Sequence, residues 1–203
     1  METEEQQVER LKEFWNEHGK GIVIGAVLGF GLFYGWRYYD ASVREAQEAL
    51  SLQFTEVTES LSLDSLASAQ EFAAANAEES YGQLAALEVA AVQVDAGELA
   101  AAVDTLQPVV ANAVGPLKAM AEVRQARLLL ALERFDEALA VLGSAKPESY
   151  KAMVAELRGD VLVAKGDVDA ARAAYQEAID ADPANQGRNA PATLKLQNLA
   201  VAS

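Results

Sequence analysis

Carboxylates are the commonest reactive side chains in this chain: Asp and Glu number 31, against 16 Lys and Arg, one histidine and no cysteine. Two carboxylates held side by side could act as general acid and base. By residue type the candidates include Glu133, Asp136, Glu137, Asp160, Asp167 and Asp169. They fall where turns and solvated helix faces need charge, and no GxSxG, HExxH, phosphate-cradling glycine loop or EF-hand spacing accompanies them. Without cysteine there is no disulfide, thiolate metal site or thiol nucleophile, and His18 alone cannot build a multi-histidine zinc site. The expectation is a protein without enzymatic activity, metal or cofactor. A net charge of −15 also argues against a nucleic-acid partner, because affinity for phosphate backbones comes from clustered Lys and Arg.

The elements that would carry these groups are helical. Ala, Leu and Glu are prominent, prolines number five, and aromatic residues make up 7% of the chain. Residues 21–36 read GIVIGAVLGFGLFYGW, an uncharged run between Lys20 and Arg37. As a helix this run covers about 24 Å, short of a ~30 Å hydrocarbon core, so its flanks must help. Lys20 and Arg37 can snorkel to opposite head-group layers, while Trp36, Tyr38 and Tyr39 stand where an aromatic belt would lie. The bulky end of the run does not suit a signal-peptidase site, and its aromatic and basic flanks suit a bilayer better than a protein core. A retained transmembrane helix over residues 20–39 is expected, preceded by a short amphipathic segment, 1–19, ending at Gly19. Arg10, Lys12 and Lys20 before the span outnumber Arg37 and Arg44 after it, which places the N-terminus in the cytoplasm. Gly21, Gly25 and Gly29, with Gly31 and Gly35, leave a stripe without side chains. Such a stripe allows close helix packing in lipid, although glycine is also simply common in membrane helices.

Residues 40–203 show internal repeats. Aligning the turns at Gly97, Glu133 and Gly166 superposes Ala102, Ala138 and Ala171, at intervals of 36 and 33 residues. Leu106, Leu142 and Tyr175 follow four residues later, and Ala90, Ala126 and Gly159 stand seven before each turn. The last unit carries most of a tetratricopeptide pattern in Gly159, Gly166, Ala171, Tyr175, Ala178 and Pro183. Small residues let the paired helices approach, Tyr175 fills the space beneath them, and Pro183 stops the helix. Arg158 departs from that pattern, the middle unit has Glu133 for the turn glycine, and Pro108 lies within the second helix of the first unit. A long helix from about Ala41 to Ser60 and a vestigial unit with Leu66, Ala69 and Ala73 precede them, giving three to four helix pairs. A segment from Pro191 caps the last one. The fold class is all-α: one membrane helix followed by a tetratricopeptide-like array.

Such arrays bind extended or helical segments along the face made by the first helix of each pair. By repeat position that face holds Leu84, Leu87, Glu88, Met120, Val123, Arg124, Arg127, Met153, Glu156 and Asp160. The alternative is that several of these side chains are core, or are covered by the C-terminal segment.

The chain resembles the YfgM-like family of proteobacteria along nearly its whole length. The resemblance is carried by HGK before the span, GWRYY at its end, Tyr81-Gly82, Leu157-Arg158-Gly159-Asp160, Lys165-Gly166-Asp167 and the ending LKLQNLAV. Arg158 thus resembles the family's own usage. The resemblance implies an inner-membrane ancillary subunit of the SecYEG translocon with a periplasmic repeat domain. It also implies association with a membrane-anchored periplasmic chaperone of prolyl-isomerase type, and the passing of nascent secretory proteins to the folding network. Two other classes stay open: a regulator of an envelope stress response acting through its cytoplasmic N-terminus, and an envelope assembly scaffold.

Overall fold

A chain rich in good helix formers should leave little else, and the computed structural model is helical throughout. It describes residues 4–59, 61–62, 65–143, 147–181 and 190–201, and among these no strand occurs. The helices are α1 (Glu4–Thr58), α2 (Leu66–Ala75), α3 (Ser80–Asp95), α4 (Leu99–Asn112), α5 (Gly115–Ala131), α6 (Phe135–Leu142), α7 (Lys151–Lys165), α8 (Val168–Ala181) and α9 (Pro191–Val201). A 3₁₀ turn, Glu148–Tyr150, leads into α7. The chain divides into two units, Met1–Ser51 and Leu52–Ser203.

The first unit is a single helix, and two sequence expectations are corrected by it. Gly19 does not end a helix, and the helix expected to begin near Ala41 is the continuation of the same element. A terminating glycine takes a left-handed φ, but among the described glycines only Gly97, Gly115 and Gly166 do so. Gly19 instead lets the indole of Trp15 fold over it, 3.2 Å from where a Cβ would stand. His18 stacks on Phe14 one turn away, with ring centroids 4.9 Å apart. Further along, Val27, Leu28, Phe30 and Leu32 are all more than 60% exposed, an arrangement water would penalise and lipid would not. This is one helix long and apolar enough to cross a membrane.

In the second unit three helical hairpins, α3/α4, α5/α6 and α7/α8, follow one another, each helix packed on the next. Their turns share one geometry. Gly97 (φ 79°), Glu133 (φ 58°) and Gly166 (φ 90°) are each left-handed. The amide of each donates to the carbonyl three residues back, at 2.9, 3.0 and 3.0 Å, and the next amide reaches five residues back, at 2.8, 2.8 and 2.9 Å. That is the Schellman pairing, which satisfies the last carbonyls of the first helix. Glu133 therefore adopts the backbone that glycine supplies in the other two turns, at the cost of a strained L-residue.

Small residues set how the hairpins close. Ala102, Ala126, Ala138 and Ala171 are wholly buried, and Ala90, Leu106, Leu142 and Tyr175 are at most 4% exposed. A methyl group built on Gly159 would meet the Tyr175 ring, 2.9 Å from Cζ. At Gly82, where α3 begins beside the end of α2, it would run into the backbone of Asn76. Pro108 lies within α4, and Pro183 lies outside the described residues. Arg158, on α7, spans the hairpin to pair with Glu177 of α8. Two buried glutamines link successive helices: the Gln93 side chain accepts from the Thr105 hydroxyl at 2.8 Å, and Gln125 donates to the Val103 carbonyl at 3.2 Å and to Gln107 Oε1 at 3.0 Å.

The array is closed at both ends. Leu66, Ala69 and Val89 form a cluster with Val57 and Leu61, so α2 and the end of α1 cover the first hairpin, where Phe54 also meets Tyr81 at 5.6 Å. At the other end Ala192 of α9 packs on Ala155 and Ala178.

Candidate partner groove

The first helices of the three hairpins, α3, α5 and α7, carry all ten residues of the proposed groove, and the structure sorts them into three kinds. Leu87 and Val123 are buried, at 2% and 3% exposure, and belong mainly to the core. Leu84, Glu88, Arg124, Arg127 and Met153 are exposed, and Met120 is half-buried. Glu156 and Asp160 are half-buried because α9 crosses them: the Lys195 ammonium donates to both carboxylates at 2.7 Å.

What remains open is a pair of depressions. One, of about 340 Å³, lies between α3 and α5, with an almost wholly apolar lining of Leu87, Ala90, Val94, Leu106 and Leu128 and with Arg124 and Arg127 at its edge. The other, of about 390 Å³, lies between α5, α7 and α9 and is lined by Arg127, Ala152, Met153, Glu156, Asp160 and Lys195. Arg127 borders both, so the two depressions succeed each other across α5. The first can take aliphatic side chains; the second offers polar and charged contacts.

Lys195 was not among the residues singled out from sequence, although LKL at the start of a short helix carried the signal. It neutralises an acidic pair and lies 5.9 Å above the Tyr175 ring, whose hydroxyl donates to Asp160 at 2.8 Å. Burial opposes the charge of Lys195, but the hydrogen bonds to Asp160 and Glu156 outweigh it, so its pKa is raised. Burial first, and then the bond to Asp160, raise the Tyr175 phenol as well. Both groups hold their protons more tightly folded than unfolded. Their contribution to stability is therefore intact below the unfolded values, about pH 10, and is lost as pH rises through the folded ones. Lys195→Met should lower the melting temperature at neutral pH and flatten its decline above about pH 10 relative to the parent chain. Parallel alkaline limbs in a thermal-melt series would show that Lys195 does not couple to folding.

The glycine stripe is placed differently. Apart from its chain neighbours and the adjoining backbone of its own helix, nothing among the described residues lies within 4 Å of a Cβ built on Gly21, Gly25, Gly29, Gly31 or Gly35, so the stripe is open along the span. Trp36, Tyr38 and Tyr39 are 66–80% exposed at its end, Lys20 and Arg37 are exposed too, and one turn on Arg44 pairs with Asp40 at 2.8 Å. Among the described residues no group of three or more His, Asp or Glu is gathered as for a metal ion.

This architecture is matched by known proteins. The description of a tetratricopeptide repeat-like domain family fits residues 12–201. A protein of Escherichia coli K12 named ancillary SecYEG translocon subunit is 38% identical over 185 residues, 89% of each chain. Proteins of the same name from Haemophilus influenzae and Aggregatibacter actinomycetemcomitans are 31% and 30% identical, over 97% and 86% of this chain and 97% and 88% of theirs. The family matched by this chain is a helical-repeat scaffold, and the name that the relatives carry is that of a translocon subunit, not of an enzyme. With a family match over residues 12–201 and relatives 38% and 31% identical over 89% and 97% of its length, the chain belongs to the tetratricopeptide repeat-like family of ancillary SecYEG translocon subunits.

Proposed function

We propose that this protein is anchored in the bacterial inner membrane, N-terminus in the cytoplasm, and serves there as an ancillary subunit of the SecYEG translocon. Its repeat unit, in the periplasm, links the channel to a membrane-anchored chaperone of prolyl-isomerase type and helps pass emerging secretory proteins to the folding network. It does so by protein–protein binding and not by catalysis. The observation that carries this reading is the apolar depression between α3 and α5, open on the face where helical arrays take segments of other proteins. The relatives' name supports the translocon, and the exposed apolar helix with its glycine stripe supports docking within the bilayer. Residues 1–19, 20–39 and 40–203 are then the cytoplasmic segment, the span and the periplasmic domain.

Photo-crosslinking in living cells tests it, with one probe at Gly29 in the span and another at Met153, which is 43% exposed on the groove. Translocon adducts from Gly29, together with chaperone or secretory-chain adducts from Met153, are expected. Adducts of Met153 to cytoplasmic proteins would overturn the orientation and the function with it.

A further inference from the structure

The pairing of charges in the repeat unit singles out one place. Acidic residues exceed basic ones almost twofold in the chain, so a cation here finds a carboxylate easily. Arg134, Lys151, Arg158, Lys165, Arg172 and Lys195 each do so. Among the described residues of the unit only Lys118, Arg124 and Arg127 have no such partner. Two of those three stand three residues apart on α5, on one helix face, and both edge the apolar depression. Asp95, which lines the same depression, pairs with neither among the described residues.

An arginine left unpaired beside an apolar surface in an acid-rich domain is a group whose best partner arrives from outside. Its guanidinium is weakly hydrated, forks onto carboxylates and serves as an anchor at interfaces. Resting on the reading of this groove as a docking surface, we infer that its occupant is a partner segment bearing an Asp or Glu side chain next to aliphatic residues. The aliphatic groups enter between α3 and α5, and the carboxylate sits on Arg124 and Arg127. A side chain fits better than a chain end, because Arg127 borders both depressions and the groove continues past it, so the segment can run on. The acidic pair in the second depression does not repel such a segment fully, since Lys195 already bonds both of its carboxylates.

The test uses the full chain in detergent and three fluorescein-labelled peptides read by anisotropy. The first is a short helical peptide of leucine, alanine and glutamate with an amidated C-terminus; the second has glutamine for each glutamate; the third is the second with a free carboxylate end. The glutamate peptide should bind at least about fivefold tighter than the amidated glutamine peptide, and more tightly still at low salt. The double variant Arg124→Gln/Arg127→Gln should erase that preference while keeping the parent's circular dichroism, since both side chains are exposed. Equal binding of the two amidated peptides, binding of neither, or a preference surviving in the double variant would overturn the inference. Selective capture of the free-ended peptide would overturn it too, in favour of a chain terminus. The Met153 crosslinks separate this from the proposed function: adducts there with no glutamate preference would leave the groove a docking surface and remove only the carboxylate.

Discussion

Gly159→Val is expected to destabilise the repeat unit by about 2–3 kcal/mol, among the largest effects a single exchange should have in this chain. The new side chain would collide at its Cβ with the edge of the Tyr175 ring, which is itself 3% exposed and bonded through its hydroxyl to Asp160 at 2.8 Å. That ring cannot swing aside without losing its hydrogen bond and uncovering the last hairpin. A double-mutant cycle decides the cause. Gly159→Val combined with Tyr175→Leu should cost less than the sum of the two single exchanges by about 1 kcal/mol or more, because the second removes what the first collides with. Additive losses in urea unfolding would place the cost in the helix backbone instead.

The second large effect is expected at Leu106, which is 1% exposed and floors the apolar depression from α4. Leu106→Ala removes buried methyl groups and leaves a void that the neighbouring Ala90 is too small to fill, at a cost of about 3 kcal/mol. In a unit of this size that corresponds to ~6–12 °C in melting temperature. The same exchange deepens the groove. A loss below about 1 kcal/mol would mean that α3 and α5 close over the gap, and that the depression is softer than its lining suggests.

Much of this architecture was legible in the residues. Alanines and glycines at a fixed spacing from a turn have few roles in a surface helix, so Ala102, Ala138 and Ala171 pointed to closely packed hairpins. The same logic identified Glu133 as a turn without its glycine, though its left-handed φ of 58° emerges only when all three turns are compared. Gly19 misled because a glycine ends a helix only where the chain beyond favours leaving it; here an uncharged apolar run follows, and the helix continues.

The groove was legible only as a list of first-helix positions. Which of them stay open depends on how successive hairpins stack, and that is why Leu87 and Val123 proved buried while Leu84 did not. The cover over Glu156 and Asp160 comes from Lys195, 39 and 35 residues away, a separation at which no local pattern links the two. The division of the open face into an apolar and a polar depression about Arg127 likewise needs the fold.

Interfaces built from alanine are smooth, and smooth helices could fit one another equally well after sliding by a turn. The buried glutamines remove that degeneracy. Slipping α5 along α4 would carry the Gln125 amide away from the Val103 carbonyl and Gln107, and slipping α4 along α3 would part Gln93 from Thr105, leaving polar groups in a dry interior. Each stranded group costs about 1–3 kcal/mol. Wrong alignments are thereby penalised at the centre of the array, much as a single buried asparagine fixes the register of a coiled coil. These amides act less as cement than as keys: they select one alignment from several that the methyl groups alone would accept.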